Sequence, residues 1–204
     1  MNTVIFGGSF NPVHNGHLQM ALAAANDGMT DKLLILPDHI PPHKSIGDDF
    51  ASADDRRAMC ELFSKLVPRS EVCDVELRRG GKSYMYDTVC ELEGLYPSDS
   101  FSILVGGDMV MTLDSWYRAD DLLKKVGVLA IGRDTVGEDE LQNKISELSA
   151  RGVKIRRLAV DTDAVSSTEV RERLKRGFTD VPVPETVLRY IVSHGLYRKG
   201  ETNA

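Results

Sequence analysis

Two histidines, His14 and His17, lie three residues apart just after a glycine-rich segment near the start of the chain. That segment, residues 7–10, reads GGSF, and its glycines remove side chains where a ligand could approach the backbone. A helix predicted to begin beside the histidines would direct free N–H groups and the positive end of its dipole toward the same place. These residue types and their order therefore predict a turn that binds phosphate groups.

The same residues allow four other interpretations. A dinucleotide-binding GxGxxG run and a Walker A loop both require spacings that this segment lacks. A metal site needs a third ligand, and no neighbouring Cys or His supplies one. The fourth alternative is structural, with His14 and His17 as capping or buried side chains. Two histidines flanking a glycine in such a turn favour phosphate binding.

A second candidate anion site lies near the end of the chain, where residues 165–171 read VSSTEVR. The pattern predicts a helix with Ser166 at the N-cap and a Glu three residues later, which is a capping box. First-turn N–H groups and the hydroxyls of Ser167 and Thr168 would be donors, and Arg171 would share their face and reach the same anion. The alternative is an ordinary helix cap with a surface arginine.

Short apolar runs alternate with longer amphipathic stretches along the chain. This alternation predicts parallel strands joined by right-handed helical crossovers, hence an α/β fold with a doubly wound parallel sheet of about six strands and helices on both faces. The predicted strands are 3–6, 32–36, 71–77, 101–105, 127–131 and 154–160. The predicted helices are 16–26, 53–66, 86–95, 119–125, 138–150, 167–176 and 184–194. The loop-like segments 37–52 and 78–83 are candidate binding segments.

Length and composition are those of an ordinary globular protein. The 204 residues suit one large domain or at most two small ones, and 42% are hydrophobic and 27% charged. We expect a single domain over 1–204, with a C-terminal helical part at about 166–197 packed on the sheet. The net charge of −6 argues against broad, salt-driven binding to nucleic acid.

The cysteines and the chain start indicate a cellular compartment. Cys60, Cys73 and Cys90 are odd in number and far apart, so neither a disulfide framework nor a zinc ribbon is indicated. The first residues lack a signal-peptide pattern, and no apolar run approaches membrane-spanning length. We therefore expect a cytoplasmic protein without a membrane or nucleic-acid partner.

Both candidate anion sites resemble motifs of one superfamily. GGSFNP at 7–12 followed by HNGH at 14–17 resembles the HxGH signature of the nucleotidyltransferases, and VSSTEVR resembles their (I/V)SSTxxR motif. These enzymes transfer the AMP or CMP part of a nucleoside triphosphate and release pyrophosphate. The resemblance implies a Rossmann-like nucleotidyltransferase fold in which His14 and His17 contact the triphosphate and stabilise charge at its α-phosphate, while Arg171 binds the same group.

Three inner segments resemble a narrower family, the bacterial nicotinate-nucleotide adenylyltransferases, whose motifs run PPHK, SYTxDT and GxDxxxxLxxW. The segments here are PPHK at 41–44, SYMYDT at 83–88 and GGDMVMTLDSW at 106–116. With the end motifs, they extend the resemblance over nearly the whole chain. It implies an enzyme that moves AMP from ATP to nicotinate mononucleotide, giving deamido-NAD and pyrophosphate in NAD biosynthesis.

The resemblance and the chemistry of these residue types together define three predicted groups. The predicted catalytic residues are His14, His17 and Arg171. The predicted ATP-binding residues are Gly7, Gly8, Ser9, Phe10, Gly106, Asp108, Ser167 and Thr168. The predicted mononucleotide-binding residues are Lys44, Tyr86, Asp87, Thr88 and Trp116. The predicted cofactor is Mg²⁺ carried by ATP, without metal ligands from the protein.

The acceptor chemistry explains the third group. A cationic pyridine ring can stack on Trp116, and helix-start amides near residues 86–88, which are Tyr, Asp and Thr, can bind its carboxylate. Lys44 can pair with the phosphate, and Asp108, after a strand, can accept from ribose hydroxyls. The structural alternatives are a tryptophan in the core, a solvated lysine and a helix-capping aspartate.

Two segments depart from the family pattern. Met85 replaces the usual Thr, and residues 132–135 read GRDT where the family has an Arg-Pro-Gly run beside the adenine. Rival acceptors are nicotinamide mononucleotide and phosphopantetheine, and rival classes are a non-catalytic nucleotide-binding module and a redox Rossmann protein. The sequence does not decide whether the chain forms a homo-oligomer.

Overall fold

The computed structural model describes residues 1–42, 47, 49–132, 136–160 and 165–198. The strands are Asn2–Gly8 (β1), Lys32–Pro37 (β2), Ser70–Val72 (β3), Ser100–Gly106 (β4), Gly127–Ile131 (β5) and Ile155–Leu158 (β6). The helices are Asn15–Asn26 (α1), Ala53–Ser64 (α2), Val75–Arg79 (α3), Met85–Leu95 (α4), Gly107–Thr112 (α5), Ala119–Lys125 (α6), Glu138–Ala150 (α7), Ser167–Lys175 (α8) and Glu185–Ser193 (α9). A 3-10 helix, Leu113–Ser115, lies between α5 and α6.

The six strands form one sheet in the order β3-β2-β1-β4-β5-β6, and every described pair is parallel. This confirms the predicted doubly wound fold. The chain leaves β1 in one direction toward β2 and β3, and later returns to pair β4 with the other side of β1. The carboxyl ends of β1 and β4 thus border the crevice where such sheets bind ligands.

Side chains alternate along the central strands between two buried faces. Val4 and Phe6 of β1 join one core cluster, with Leu33 and Ile35 of β2, whereas Ile5 joins the other. The buried apolar side chains of α1, α2, α8 and α9 belong to the first cluster, and the buried apolar side chains of α3 to α7 belong to the second. Both faces of the sheet are therefore covered, as a parallel sheet requires.

The two closing helices pack on the same face as α1. Val170 and Leu174 of α8, with Val187 and Ile191 of α9, belong to the first core cluster. Within the described ranges, no helix is both long and apolar enough to cross a lipid bilayer.

The predicted strand over 71–77 is wrong in its second half. β3 ends at Val72, and α3 occupies Val75–Arg79, which also takes part of the predicted loop at 78–83. β3 is an edge strand whose described ladder pairs it with residues 33–35 of β2. The apolar pattern of this run indicated a strand, but its residue Val75 is buried as part of helix α3.

A buried arginine on α2 joins the loops that follow β1 and β2. Arg56 is 1% exposed. Its guanidinium donates to the carbonyls of Ser9 at 3.0 Å, Asp38 at 2.6 Å and Ala51 at 3.3 Å, and it contacts the Asp38 carboxylate at 3.3 Å. One side chain therefore holds two loops together at the carboxyl end of the sheet.

Replacing Arg56 by Ala removes the cation beside the buried Asp38 carboxylate and the donors to four carbonyls, including that of His39 at 3.4 Å. We expect the free energy of unfolding, measured by urea denaturation, to fall by about 3–5 kcal/mol. The control is Arg57→Ala on the same helix, whose exposed side chain pairs with Glu61 and Asp74 at 3.7 Å. The control should lose less than about 1 kcal/mol, and equal losses would contradict a bridging role for Arg56.

Candidate active site

The turn after β1 offers backbone groups at two of the predicted ATP-binding positions. Phe10 is 1% exposed, and its ring packs edge-on against Phe6 at 5.4 Å and against His17 at 5.1 Å. The Ser9 hydroxyl donates to the Asp38 carboxylate at 2.9 Å. The contacts predicted between these two residues and ATP therefore depend on their main-chain atoms.

The glycine pair also has a packing role. A Cβ added to Gly7 would lie 3.0 Å from Cε of Met85, the first residue of α4. A Cβ added to Gly8 would lie 3.4 Å from the Phe10 ring. The absence of a side chain at Gly7 therefore lets Met85, the residue that departs from the family motif, pack closely against the turn.

The two histidines cap α1 reciprocally. His14 is the N-cap, and its Nδ1 accepts from the His17 N–H at 3.4 Å, while Nδ1 of His17 accepts from the His14 N–H at 3.2 Å. The rings stack with centroids 3.6 Å apart. Because each Nδ1 accepts a hydrogen bond, a neutral ring carries its proton on Nε2, from which it can donate to an anion. Capping and phosphate binding are therefore compatible, because the cap orients the donors.

The start and the end of the chain meet at this turn. Ser166 is the N-cap of α8, as predicted, and accepts from the Glu169 N–H at 3.4 Å. The next hydroxyl, of Ser167, donates to the Pro12 carbonyl at 3.0 Å, and Nη1 of Arg171 donates to the Asn11 carbonyl at 2.8 Å. The two segments predicted to bind anions therefore contact each other.

Asn11 organises the polar contacts beneath the turn. It is buried, and its Oδ1 accepts from the Tyr197 hydroxyl at 2.7 Å and from the Ala51 N–H at 3.0 Å. Its Nδ2 donates to the Asp49 carbonyl at 3.3 Å. One side chain therefore joins the first turn, the loop before α2 and the C-terminal segment.

Arg171 is held by an acidic partner from the loop before α2. Its Nε donates to Oδ2 of Asp49 at 2.9 Å, and Nζ of Lys175 lies 2.9 Å from the same oxygen. The hydrogen bonds from Arg171 and then Lys175 lower the pKa of the Asp49 carboxyl to about 2. Nη2 of Arg171 lies 3.5 Å from the Thr168 hydroxyl, which joins another predicted ATP-binding residue to the cluster.

The start of α4 forms the predicted acceptor side. Tyr84 is the N-cap and provides no side-chain cap for the first-turn amides. Thr88 is buried and already engaged, since its N–H donates to the Tyr84 carbonyl at 3.1 Å and its hydroxyl donates to Glu76 at 2.5 Å. Burial raises the pKa of Glu76. Thr88 therefore supports the helix start, whereas residues 85–87 present the first-turn amides.

Aromatic side chains surround this helix start. Trp116 is half-buried. Part of its side chain packs against the second core cluster, and the rest is exposed to solvent. Tyr84 and Tyr117 lie with ring centroids 4.6 Å apart, and the Arg118 guanidinium lies 4.0 Å from the Tyr86 ring centroid. Asp87, the other residue predicted for the mononucleotide, is exposed.

The remaining predicted residues follow other strands. Gly106 ends β4 and is the N-cap of α5, and Asp108 is exposed in the first turn of that helix. Both therefore lie at the carboxyl edge of the sheet, beside β1. Lys44 lies outside the described residues, as do residues 133–135 of the departing GRDT segment.

The residues that support the site are not among those predicted from the sequence. Arg56 had a detectable signal, because it shares one face of α2 with Met59, Cys60 and Phe63, at helical spacing. An arginine on an apolar stripe indicates a buried cation that needs carbonyl partners. Asp49 carried no such signal, since its partners are 122 and 126 residues away.

The fold and the contact between the two motif segments are those of a nucleotidyltransferase. The family model described as cytidylyltransferase-like matches residues 5–173, and the chain belongs to this family. Its curated relatives place it among the nicotinate-nucleotide adenylyltransferases.

Curated relatives named probable nicotinate-nucleotide adenylyltransferase match nearly the full length. One from Listeria monocytogenes serotype 4a is 38% identical over 195 residues, 96% of this chain and 96% of its own. One from Carboxydothermus hydrogenoformans is 36% identical over 196 residues, 95% of this chain and 96% of its own.

The fold is also that of a solved Plasmodium falciparum nicotinic acid mononucleotide adenylyltransferase, complexed with NaAD. That structure has a TM-score of 0.76 and 19% sequence identity, and the match covers 96% of this chain and 97% of the solved one. At this identity the likeness concerns the fold.

Substitutions at His14 can measure how much its N-cap hydrogen bond contributes to the free energy of unfolding. His14→Ala removes the acceptor for the His17 N–H, whereas asparagine is a good N-cap residue. We expect His14→Ala to be less stable than His14→Asn by about 1 kcal/mol in urea denaturation. Equal stability of the two variants would show that the cap contributes nothing.

Proposed function

We propose that this protein transfers the adenylyl group of ATP to nicotinate mononucleotide, giving deamido-NAD and pyrophosphate in NAD biosynthesis. The observation that carries the proposal is the junction between the first turn and α8, through the Ser167–Pro12 and Arg171–Asn11 hydrogen bonds. This junction brings both nucleotidyltransferase motifs to one edge of the sheet. The curated relatives named above support nicotinate mononucleotide as the acceptor.

The triphosphate side of the proposed site combines main-chain and cationic donors. The triphosphate lies between the 7–17 turn and the start of α8, where first-turn amides and the Thr168 hydroxyl face it. His14 and His17 donate from Nε2, and Arg171 adds a fixed positive charge. Asp108 accepts from ribose hydroxyls.

The acceptor side uses the start of α4 and the neighbouring aromatic residues. The ring carboxylate of the mononucleotide accepts from the amides at 85–87, which have no side-chain cap. The exposed part of Trp116 stacks on the cationic pyridine ring. Lys44 is the proposed partner of the 5′-phosphate.

The chemical step needs no protein nucleophile, because the attacking phosphate is already anionic. An oxygen of the mononucleotide phosphate forms a bond to the α-phosphorus of ATP, and the bond from that phosphorus to the bridging oxygen of pyrophosphate breaks in line. Charge develops on the phosphoryl oxygens and the leaving group, and His14, His17 and Arg171 stabilise it from fixed positions.

Magnesium fits this site as a companion of ATP. Among the described residues, no group of three His, Cys, Asp or Glu side chains could hold a metal ion. The phosphates of ATP are the natural ligands of Mg²⁺, which supplies charge neutralisation on the triphosphate when bound.

The acceptor can be identified by scoring pyrophosphate release with ATP, Mg²⁺ and a panel of phosphorylated acceptors. We expect turnover with nicotinate mononucleotide to exceed that with nicotinamide mononucleotide by about tenfold or more, because a carboxamide loses the charge-assisted hydrogen bonds to the α4 amides. Phosphopantetheine should give none. ATP binding without pyrophosphate release from any acceptor would indicate a non-catalytic binding module and contradict the proposal.

His17→Ala tests the charge-stabilising role. Removing one preorganised donor should lower kcat by about 100-fold while the circular dichroism spectrum stays unchanged. His14→Asn, which keeps the cap, should lose turnover as well. The control is His194→Ala, an exposed histidine that follows α9. A near-normal rate for His17→Ala in a coupled pyrophosphate assay would remove His17 from the mechanism.

A further inference from the structure

Asp49 is held against the first turn by main-chain contacts on both sides of its side chain. Its carbonyl accepts from Nδ2 of Asn11 at 3.3 Å, and the Ala51 N–H donates to Oδ1 of the same asparagine at 3.0 Å. The Phe50 N–H donates to the Gly47 carbonyl at 3.0 Å, which closes a turn around it. The carboxylate of Asp49 therefore has a defined position relative to the turn that bears the histidines.

That carboxylate orients the guanidinium of Arg171. Nε of Arg171 donates to Asp49 at 2.9 Å, and Nη1 donates to the Asn11 carbonyl at 2.8 Å. A guanidinium carries five N–H donors in one plane, so two hydrogen bonds to fixed acceptors determine the direction of the rest. The remaining N–H donors on the two Nη atoms are directed by these contacts before any ligand arrives.

Asp49 has two cationic partners, because Lys175 lies 2.9 Å from the carboxylate oxygen that also accepts from Arg171. Lys175 pairs with Glu172 at 2.9 Å as well, so the four formal charges of this cluster sum to zero. The contribution of Asp49 to ATP binding is therefore the direction it imposes on the Arg171 guanidinium.

We propose that Asp49 is a positioning residue that acts through Arg171, holding the guanidinium in the direction required to bind the triphosphate of ATP. The inference rests on the proposed function only in taking Arg171 as a triphosphate ligand. Asp49 itself does not touch the substrate. The ordering of the long arginine side chain is completed before ATP binds, so less conformational entropy is lost on binding.

A double-mutant cycle tests this inference directly. The wild type, Asp49→Ala, Arg171→Ala and the double variant are compared by calorimetric titration with ATP and Mg²⁺ in the absence of acceptor. We expect Asp49→Ala to weaken ATP binding by at least about fivefold in the wild-type background and by less than about twofold in the Arg171→Ala background. A purely structural role would weaken binding equally in both backgrounds.

Turnover gives a second readout. Asp49→Ala should raise the KM for ATP and leave the KM for nicotinate mononucleotide within about twofold of wild type, because the Arg171 contacts in the described part of the chain go to Asp49, Asn11 and Thr168 and not to the start of α4. Asp49→Asn, which keeps one oxygen acceptor but no charge, should lie between wild type and Asp49→Ala. Asp49→Asn replaces the alanine variant throughout the cycle if the latter does not fold.

The matched control is Glu172→Ala. Glu172 pairs with Lys175 at 2.9 Å but is not a described partner of Arg171, so its removal should change ATP affinity by less than about twofold. ATP affinity of Asp49→Ala at or above the wild-type value, or equal losses in the two backgrounds, would overturn the inference.

The same titrations distinguish this inference from the proposed function. A wild-type protein that binds ATP but releases no pyrophosphate with nicotinate mononucleotide would overturn the proposed function, while the binding cycle would still decide the role of Asp49. A wild-type protein that does not bind ATP would overturn both.

Discussion

The site depends on hydrogen bonds that join the main-chain carbonyls of the first turn to the start of α8. Ser167 reaches the Pro12 carbonyl across 155 residues of sequence, and Arg171 reaches the Asn11 carbonyl across 160. A parallel sheet places the carboxyl ends of all its strands at one edge, so the turn after β1 and the segment after β6 can meet there. Without these contacts, each motif would be an ordinary capped helix start.

Buried polar side chains make that meeting rigid. Asn11 and Arg56 satisfy carbonyls and an N–H group of two loops, the one after β1 and the one between β2 and α2. A buried polar group without a partner is costly, so each contact specifies a single arrangement of the loops. Rigid loops hold the histidine and arginine donors in fixed directions, which is the condition under which they stabilise developing charge best.

Local patterns predicted much of the fold and part of the site. The alternation of apolar runs predicted the six-stranded sheet, and the Ser166 cap followed from the residues around it. The strand prediction was wrong at 73–77, because apolar residues beside an edge strand can also be buried as part of a short helix. The Arg56 position on an apolar stripe was detectable, whereas the Asp49 and Glu76 contacts were not.

The sequence alone determined the strand and helix periodicity and the spacing of His14 and His17, because these features depend on interactions within one or two helical turns. It also contains the family motifs in their order along the chain. Tertiary structure decided that Thr88 is engaged with Glu76, that Arg56 donates to the Ser9 carbonyl, and that Asp49 holds Arg171. Residues so distant in sequence come into contact only after helices have packed on both faces of the sheet and their loops have come together at the carboxyl end of the strands.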